Sequence, residues 1–167
     1  MLLSETPPAG FREDLEAAIT SAGFTVAYEP IPGTARGYTD PVGRRVVIRE
    51  DLPEANSAST LAHELAHIKA GHLDRISDYH MGHNGARDAM EIEAESISHS
   101  LCAVNGMDST GKAGRYVAAW GHTDPRRVKQ AAETVTKTVR DIFDNNHWRN
   151  STIGLPAGTQ APVAAPA

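Results

Sequence analysis

Residues 51–72 read DLPEANSASTLAHELAHIKAGH, and this stretch decides how the rest of the chain is read. It carries the signals of one long helix. Asp51 and Glu54 stand as a capping pair, Pro53 is tolerated in the first turn, and Gly71 closes the run. Leu61, Leu65 and Ile68 repeat at helical spacing and supply a buried stripe. Inside it, His63-Glu64-Leu65-Ala66-His67 matches the pattern H-E-x-x-H. Histidines at i and i+4 lie one turn apart on one face, so both imidazoles can bind a single zinc ion. Glu64 lies about 100° round the helix from His63, badly placed to ligate but able to hold a water on the metal. Zinc lowers the pKa of that water to about 7; the glutamate takes its proton and passes it to the leaving amine. His63 and His67 are therefore the expected ligands, Glu64 the expected general base, and one Zn2+ per chain the expected cofactor.

A catalytic zinc needs a third protein ligand and an open fourth position. A metzincin would carry glycine at position 70 and histidine at 73; Ala70 and Leu73 exclude that class. A glutamate from a second helix is the other common arrangement, and MEIEAES (90–96) offers three. Glu91 and Glu95 share a face, with His99 one turn further on, whereas Glu93 points roughly the opposite way. Asp88-x-x-Glu91 also reads as a capping box. Glu91 is the preferred third ligand, Glu95 the first alternative, and His99 and His72 stand behind them.

Outward from this motif, the chain divides into short elements. Gly10 to Ala22 reads as an amphipathic helix, with Phe11, Leu15, Ala18 and Ile19 on one face and Gly23 as its stop. FTVAY (24–28) is a strand, and GYT (37–39), the turn DPVG (40–43) and RRVVIR (44–49) form a hairpin. Residues 72–87 show no period and read as a long loop. Helices are expected over 88–105, stopped by Gly106, over 112–120, and over 124–143 with the stripe Val128, Ala132, Val135, Val139 and Ile142. The expected fold is α+β: a small antiparallel sheet beside about four helices, zincin-like, with the metal between the H-E-x-x-H helix and the glutamate helix. One metallopeptidase-like domain spans 1–149, and the uncharged Pro/Ala/Gly-rich stretch 150–167 reads as a disordered tail.

The composition narrows the function classes. The 167 residues are 40% hydrophobic and 22% charged, as in a globular domain, and are too few for two large domains. Sixteen Lys+Arg against 21 Asp+Glu give a formal charge of −5, which disfavours general nucleic-acid binding. No run of about 18 apolar residues encodes a membrane span, and MLLSETPPAG lacks the basic and apolar regions of a secretory signal. Cys102 is the single cysteine, which fits a reducing, cytoplasmic setting. Of eight histidines, five (His63, His67, His72, His80, His83) crowd into residues 63–83, which supports a metal site.

HELAHIKAGH (63–72) followed by EIEAES (91–96) resembles the ImmA/IrrE-type zinc metallopeptidases, where HExxH is followed by a Glu-x-x-Ala stretch on the next helix. The ordered set RRVVIRE (44–50), TLAHELAH (60–67), EAES (93–96) and YVAAW (116–120) is most similar to the metallopeptidase-like domain of ArdC-type antirestriction proteins. That resemblance covers roughly residues 33–144. It implies peptide-bond hydrolysis with His63, His67 and Glu91 as ligands and Glu64 as base. It also implies that Glu95, where relatives often carry Asp or Asn, orients a zinc histidine from behind. The single-stranded-DNA-binding domain that precedes the peptidase domain in ArdC-type proteins has no counterpart in these residues, and the antirestriction role is not carried over.

The remaining candidates have plainer readings. Tyr79, His80, His83, Tyr116 and His122 could each supply an oxyanion donor, but each is more often a packing or surface residue. His72 sits at a helix end where the dipole favours a cation. Cys102 in the apolar run LCAV reads as core, as do Tyr116 and Trp120 at helical spacing. Arg44, Arg45 and Arg49 read as a solvated strand edge offset by Glu50 and Asp51. The expected partner is a protein or peptide substrate, with a transcriptional repressor or other regulator as a candidate, and neither nucleic acid nor membrane. The rival reading is a non-catalytic zinc-containing regulatory or antirestriction-type protein of a mobile element; retention of Glu64 argues against it, since a scaffold needs the ligands but not the base.

Overall fold

The computed structural model describes residues 6–81, 86–107 and 125–149. In chain order these form α1 (Phe11–Ser21), β1 (Thr25–Glu29), β2 (Gly37–Asp40), β3 (Arg45–Arg49), α2 (Glu54–Lys69), a 3-10 turn (His72–Arg75), α3 (Ile76–Met81), α4 (Ala86–Val104) and α5 (Pro125–Asp144). The class is α+β as expected. The helix expected over 112–120 and the tail expected after Asn150 lie outside the described residues.

Glycines end the helices where the sequence places them. Past α1, the Gly23 N–H bonds the Thr20 carbonyl and the Phe24 N–H bonds that of Ile19, at 2.9 and 3.2 Å. Gly23 itself is left-handed (φ 84°), the Schellman ending that seats the buried Phe24 in the same core as Ile19. Gly106 (φ 81°) ends α4 the same way, with Met107 N–H on the Cys102 carbonyl. The expected capping pair at α2 is not used. Pro53 takes the cap position without a side-chain bond, and Asp51 instead accepts from Arg49 Nε at 2.8 Å.

The sheet departs from the antiparallel expectation. β2 and β3 form the expected hairpin, with Asp40 Oδ1 accepting the N–H groups of Val42 and Gly43, but β1 lies parallel to β3 on its other side. The order is β1-β3-β2. Burial decides it. Val46, Val47 and Ile48 make β3 the most apolar strand, so it takes the centre, and the chain must pass from β1 beyond it to reach β2. The loop of residues 72–87 is also more ordered than expected, being partly the 3-10 turn and α3.

α2 is the centre of the molecule rather than an amphipathic surface helix. It contacts α1, β2, β3, α4 and α5, and its small residues Ala55, Ala58, Ser59, Ala62 and Ala66 are all buried. Leu61 and Leu65 join Ala94, Ile97 and Leu101 of α4 in one core, and Ser98 Oγ donates to the Ser59 carbonyl at 3.1 Å. On α5 the buried stripe is Ala131, Thr138 and Ile142 with Val135 and Val139 beside it; Ala132, expected inside, is exposed. The chain then returns to its start. Trp148 packs with its ring tilted against Phe11, and buried Asp14 accepts the Arg149 N–H at 2.8 Å.

At Gly37 the strand β2 passes close to α2. A Cβ there would stand 2.7 Å from Thr60 Cγ2 and 2.9 Å from the Val47 carbonyl oxygen. Gly37→Ala should therefore push β2 off α2 and lower stability by about 1–3 kcal/mol. Urea unfolding measures this, and an unchanged midpoint would show that the approach is not tight.

Candidate metal centre

His63 and His67 face α4 from the last turns of α2, one turn apart as the helix period requires. Their Nε2 atoms stand 3.1 Å from each other. Glu91, from the first turns of α4, brings Oε2 to 3.4 Å from His63 Nε2 and Oε1 to 3.6 Å from His67 Nε2. Ligands about 2.0–2.1 Å from a tetrahedral ion stand about 3.3 Å apart; the two imidazole nitrogens are close to that spacing, and Glu91 turns a different oxygen to each of them. This His/His/Glu cluster is compatible with a metal ion.

Each imidazole is held from behind. His63 Nδ1 lies 3.0 Å from Glu95 Oε2, so Glu95 sits on the ring nitrogen turned away from the cluster. His67 Nδ1 lies 3.0 Å from His72 Nδ1, and His72 Nε2 lies 2.9 Å from Glu93 Oε2. Neither His72 nor Glu93 is in the converging set. Sequence reading placed His72 at a helix end and turned Glu93 away; instead, left-handed Gly71 (φ 73°) swings the chain so that buried His72 folds back onto His67, and Glu93 reaches His72 from α4. Of the other residues weighed as ligands or oxyanion donors, His83, Tyr116 and His122 lie outside the described residues.

Glu64 points to the sheet side. Thr39 Oγ1 on β2 donates to Glu64 Oε2 at 2.8 Å, and the glutamate is only 7% exposed. Thr39 carries no sequence signal of its own, since its partner is 25 residues away. Burial raises the Glu64 pKa, while the His63 charge and the Thr39 bond pull it back down. At His63 burial opposes the charged form, but Glu91 and Glu95, with the Glu64 charge, outweigh it and lift the pKa to about 10. His67 goes the other way, held down by burial and by the positive His63 beside it.

An α+β domain with H-E-x-x-H on its central helix and a His/His/Glu cluster built across to the next long helix is a metallopeptidase-like domain. Residues 20–104 match the peptidase family model described as the IrrE N-terminal-like domain, a span of about half the chain. The chain belongs to this family. No curated protein and no solved structure matches the chain significantly. No described helix is long and apolar enough to cross a membrane.

A metal entering the cluster must displace the His63 proton. With that group protonated up to about pH 10, affinity for a divalent metal should rise with pH through the neutral range, by about tenfold per unit. Calorimetry at pH 7 in buffers of differing ionisation enthalpy should register about one proton released per ion. Binding heat independent of the buffer would contradict this.

Proposed function

We propose that this chain is a zinc-dependent endopeptidase acting on a protein substrate, with His63, His67 and Glu91 as metal ligands and Glu64 as general base. The observation that carries the reading is the pairing of buried Glu64 with Thr39 beside a converging His/His/Glu set. A structural metal site would need the three ligands alone. Two nitrogens and one carboxylate oxygen suit zinc and leave one position for a reactant. When bound, zinc supplies a Lewis acid that acidifies water and polarises a peptide carbonyl.

The protein's own residues do the rest. Glu64, its basicity raised by burial, takes a proton from the attacking water and delivers it to the amine that leaves when the C–N bond breaks. Thr39 holds one carboxylate oxygen and so aims the other. Glu95 accepts from His63 Nδ1 and keeps its Nε2 turned to His67 and Glu91, where it would serve as a ligand. Because β2 is an edge strand, a substrate segment can lie extended along it, pairing as an added strand next to Glu64. Kinship with the ArdC-type branch rests on the ordered segments quoted above, and a cytoplasmic regulator is the substrate class we favour.

Elemental analysis of purified protein should find one zinc per chain, lost in His67→Ala and Glu91→Ala and kept in Glu95→Ala. Glu64→Gln should keep the zinc yet lose at least about 100-fold of its turnover on a denatured protein such as casein. A zinc-loaded Glu64→Gln that cleaves at the wild-type rate would falsify the assigned base. Thr39→Val should keep the zinc and cut kcat by about tenfold, the worth of one hydrogen bond to a charged group.

A further inference from the structure

His63 and His67 are supported differently. Behind His63 stands a carboxylate, Glu95, in direct contact. Behind His67 stands a second imidazole, His72, which is 2% exposed and is itself held by Glu93. The direction of the hydrogens along this second chain follows from its far end. A carboxylate has no hydrogen to give, so on the 2.9 Å contact His72 Nε2 must donate to Glu93 Oε2. Nδ1 of a neutral imidazole protonated at Nε2 is a bare acceptor. With a single ring hydrogen on His72, the hydrogen on the 3.0 Å contact between the two Nδ1 atoms belongs to His67. That leaves His67 Nε2 bare, at the place where it meets His63 Nε2 and Glu91.

We propose that Glu93 and His72 are positioning residues: a two-link hydrogen-bond chain that fixes His67 in the tautomer with its hydrogen on Nδ1 and a lone pair aimed into the cluster. The importance of this for metal binding rests on the zinc reading above; the tautomer itself does not. The extra imidazole also has a purpose that a direct carboxylate would lack. Glu91 and Glu95 already meet the cluster imidazoles, and the relay holds His67 while keeping a third carboxylate one ring further away.

The experiment is a long-range nitrogen–proton NMR spectrum of the histidine side chains in metal-free protein, paired with a zinc dissociation constant from chelator competition. Wild type should show His67 protonated at Nδ1. Glu93→Gln keeps the shape of the side chain but can present an N–H to His72, reversing the chain. It should show His67 mixed or protonated at Nε2 and bind zinc about 10–100-fold more weakly, with an unchanged circular dichroism spectrum. His72→Gln, whose side-chain oxygen can still accept from His67, should lose less affinity than His72→Ala.

A wild-type His67 protonated at Nε2 would overturn the proposal, because a doubly protonated His72 would then be the donor. So would Glu93→Gln and Glu93→Leu proteins that both keep the wild-type tautomer and zinc affinity, since leucine offers His72 no acceptor. If wild type binds no zinc while the Glu93→Gln tautomer still shifts, the metal reading fails and the chain stands. If wild type binds one zinc, lost in Glu91→Ala but untouched in both Glu93→Gln and Glu93→Leu, the chain fails alone.

Discussion

The contact between α2 and α4 is the constraint on which the site depends. These two helices meet through an apolar seam of Leu61, Leu65, Ala94, Ile97 and Leu101, pinned by the Ser98 hydroxyl on the Ser59 carbonyl. Close-packed seams of this kind have few alternative registers, because slipping one residue would drive large side chains into small ones. With the register set, three glutamates spaced two apart on α4 each meet a different task. Glu91 faces both imidazoles, Glu95 stands behind one, and Glu93 reaches the histidine that stands behind the other. No single histidine–glutamate contact could set this arrangement; the apolar seam does.

The sheet supplies what the helices cannot. Glu64 leaves α2 on a different side from His63 and would be an unpaired buried carboxylate without Thr39. Gly37, two residues earlier, lets the strand come close enough for that bond by carrying no side chain against Thr60. The converging His/His/Glu set and Glu64 are thus held by two independent packing surfaces of one helix. At the far end, Trp148 and Arg149 pack onto Phe11 and Asp14 of α1, so the helix flanking α2 on its other side is tied to the segment that follows α5.

What could be read from the sequence was what repeats or terminates locally. The Phe11, Leu15, Ala18, Ile19 face, the stops at Gly23, Gly71 and Gly106, and the i, i+4 histidines are each written within one or two turns of chain. Helix periodicity set Glu91 and Glu95 apart from Glu93 but left the choice between those two open, and the resemblance favoured Glu91. Thr39, by contrast, meets Glu64 across 25 residues, and His72 meets Glu93 across 21, and such pairs leave no period behind. The parallel β1–β3 pairing was hidden for a similar reason. Strand order was settled by which strand could be buried on both sides, a competition among segments rather than a property of any one. The slip from Ala132 to Ala131 on α5 shows the limit of an alanine pair, where either residue satisfies the pattern and only the partner surface chooses.

The pleat of β2 has a consequence for how this domain can change over time. Neighbouring residues on a strand face opposite ways, so Thr39 turns to Glu64 while Tyr38 is exposed on the other face. Drift at Tyr38 can alter the outer surface of the strand without disturbing the bond that holds Glu64. Drift at Thr39 cannot. Along this edge, freedom and constraint alternate residue by residue, so new surface preferences can be tried while the buried carboxylate keeps its place.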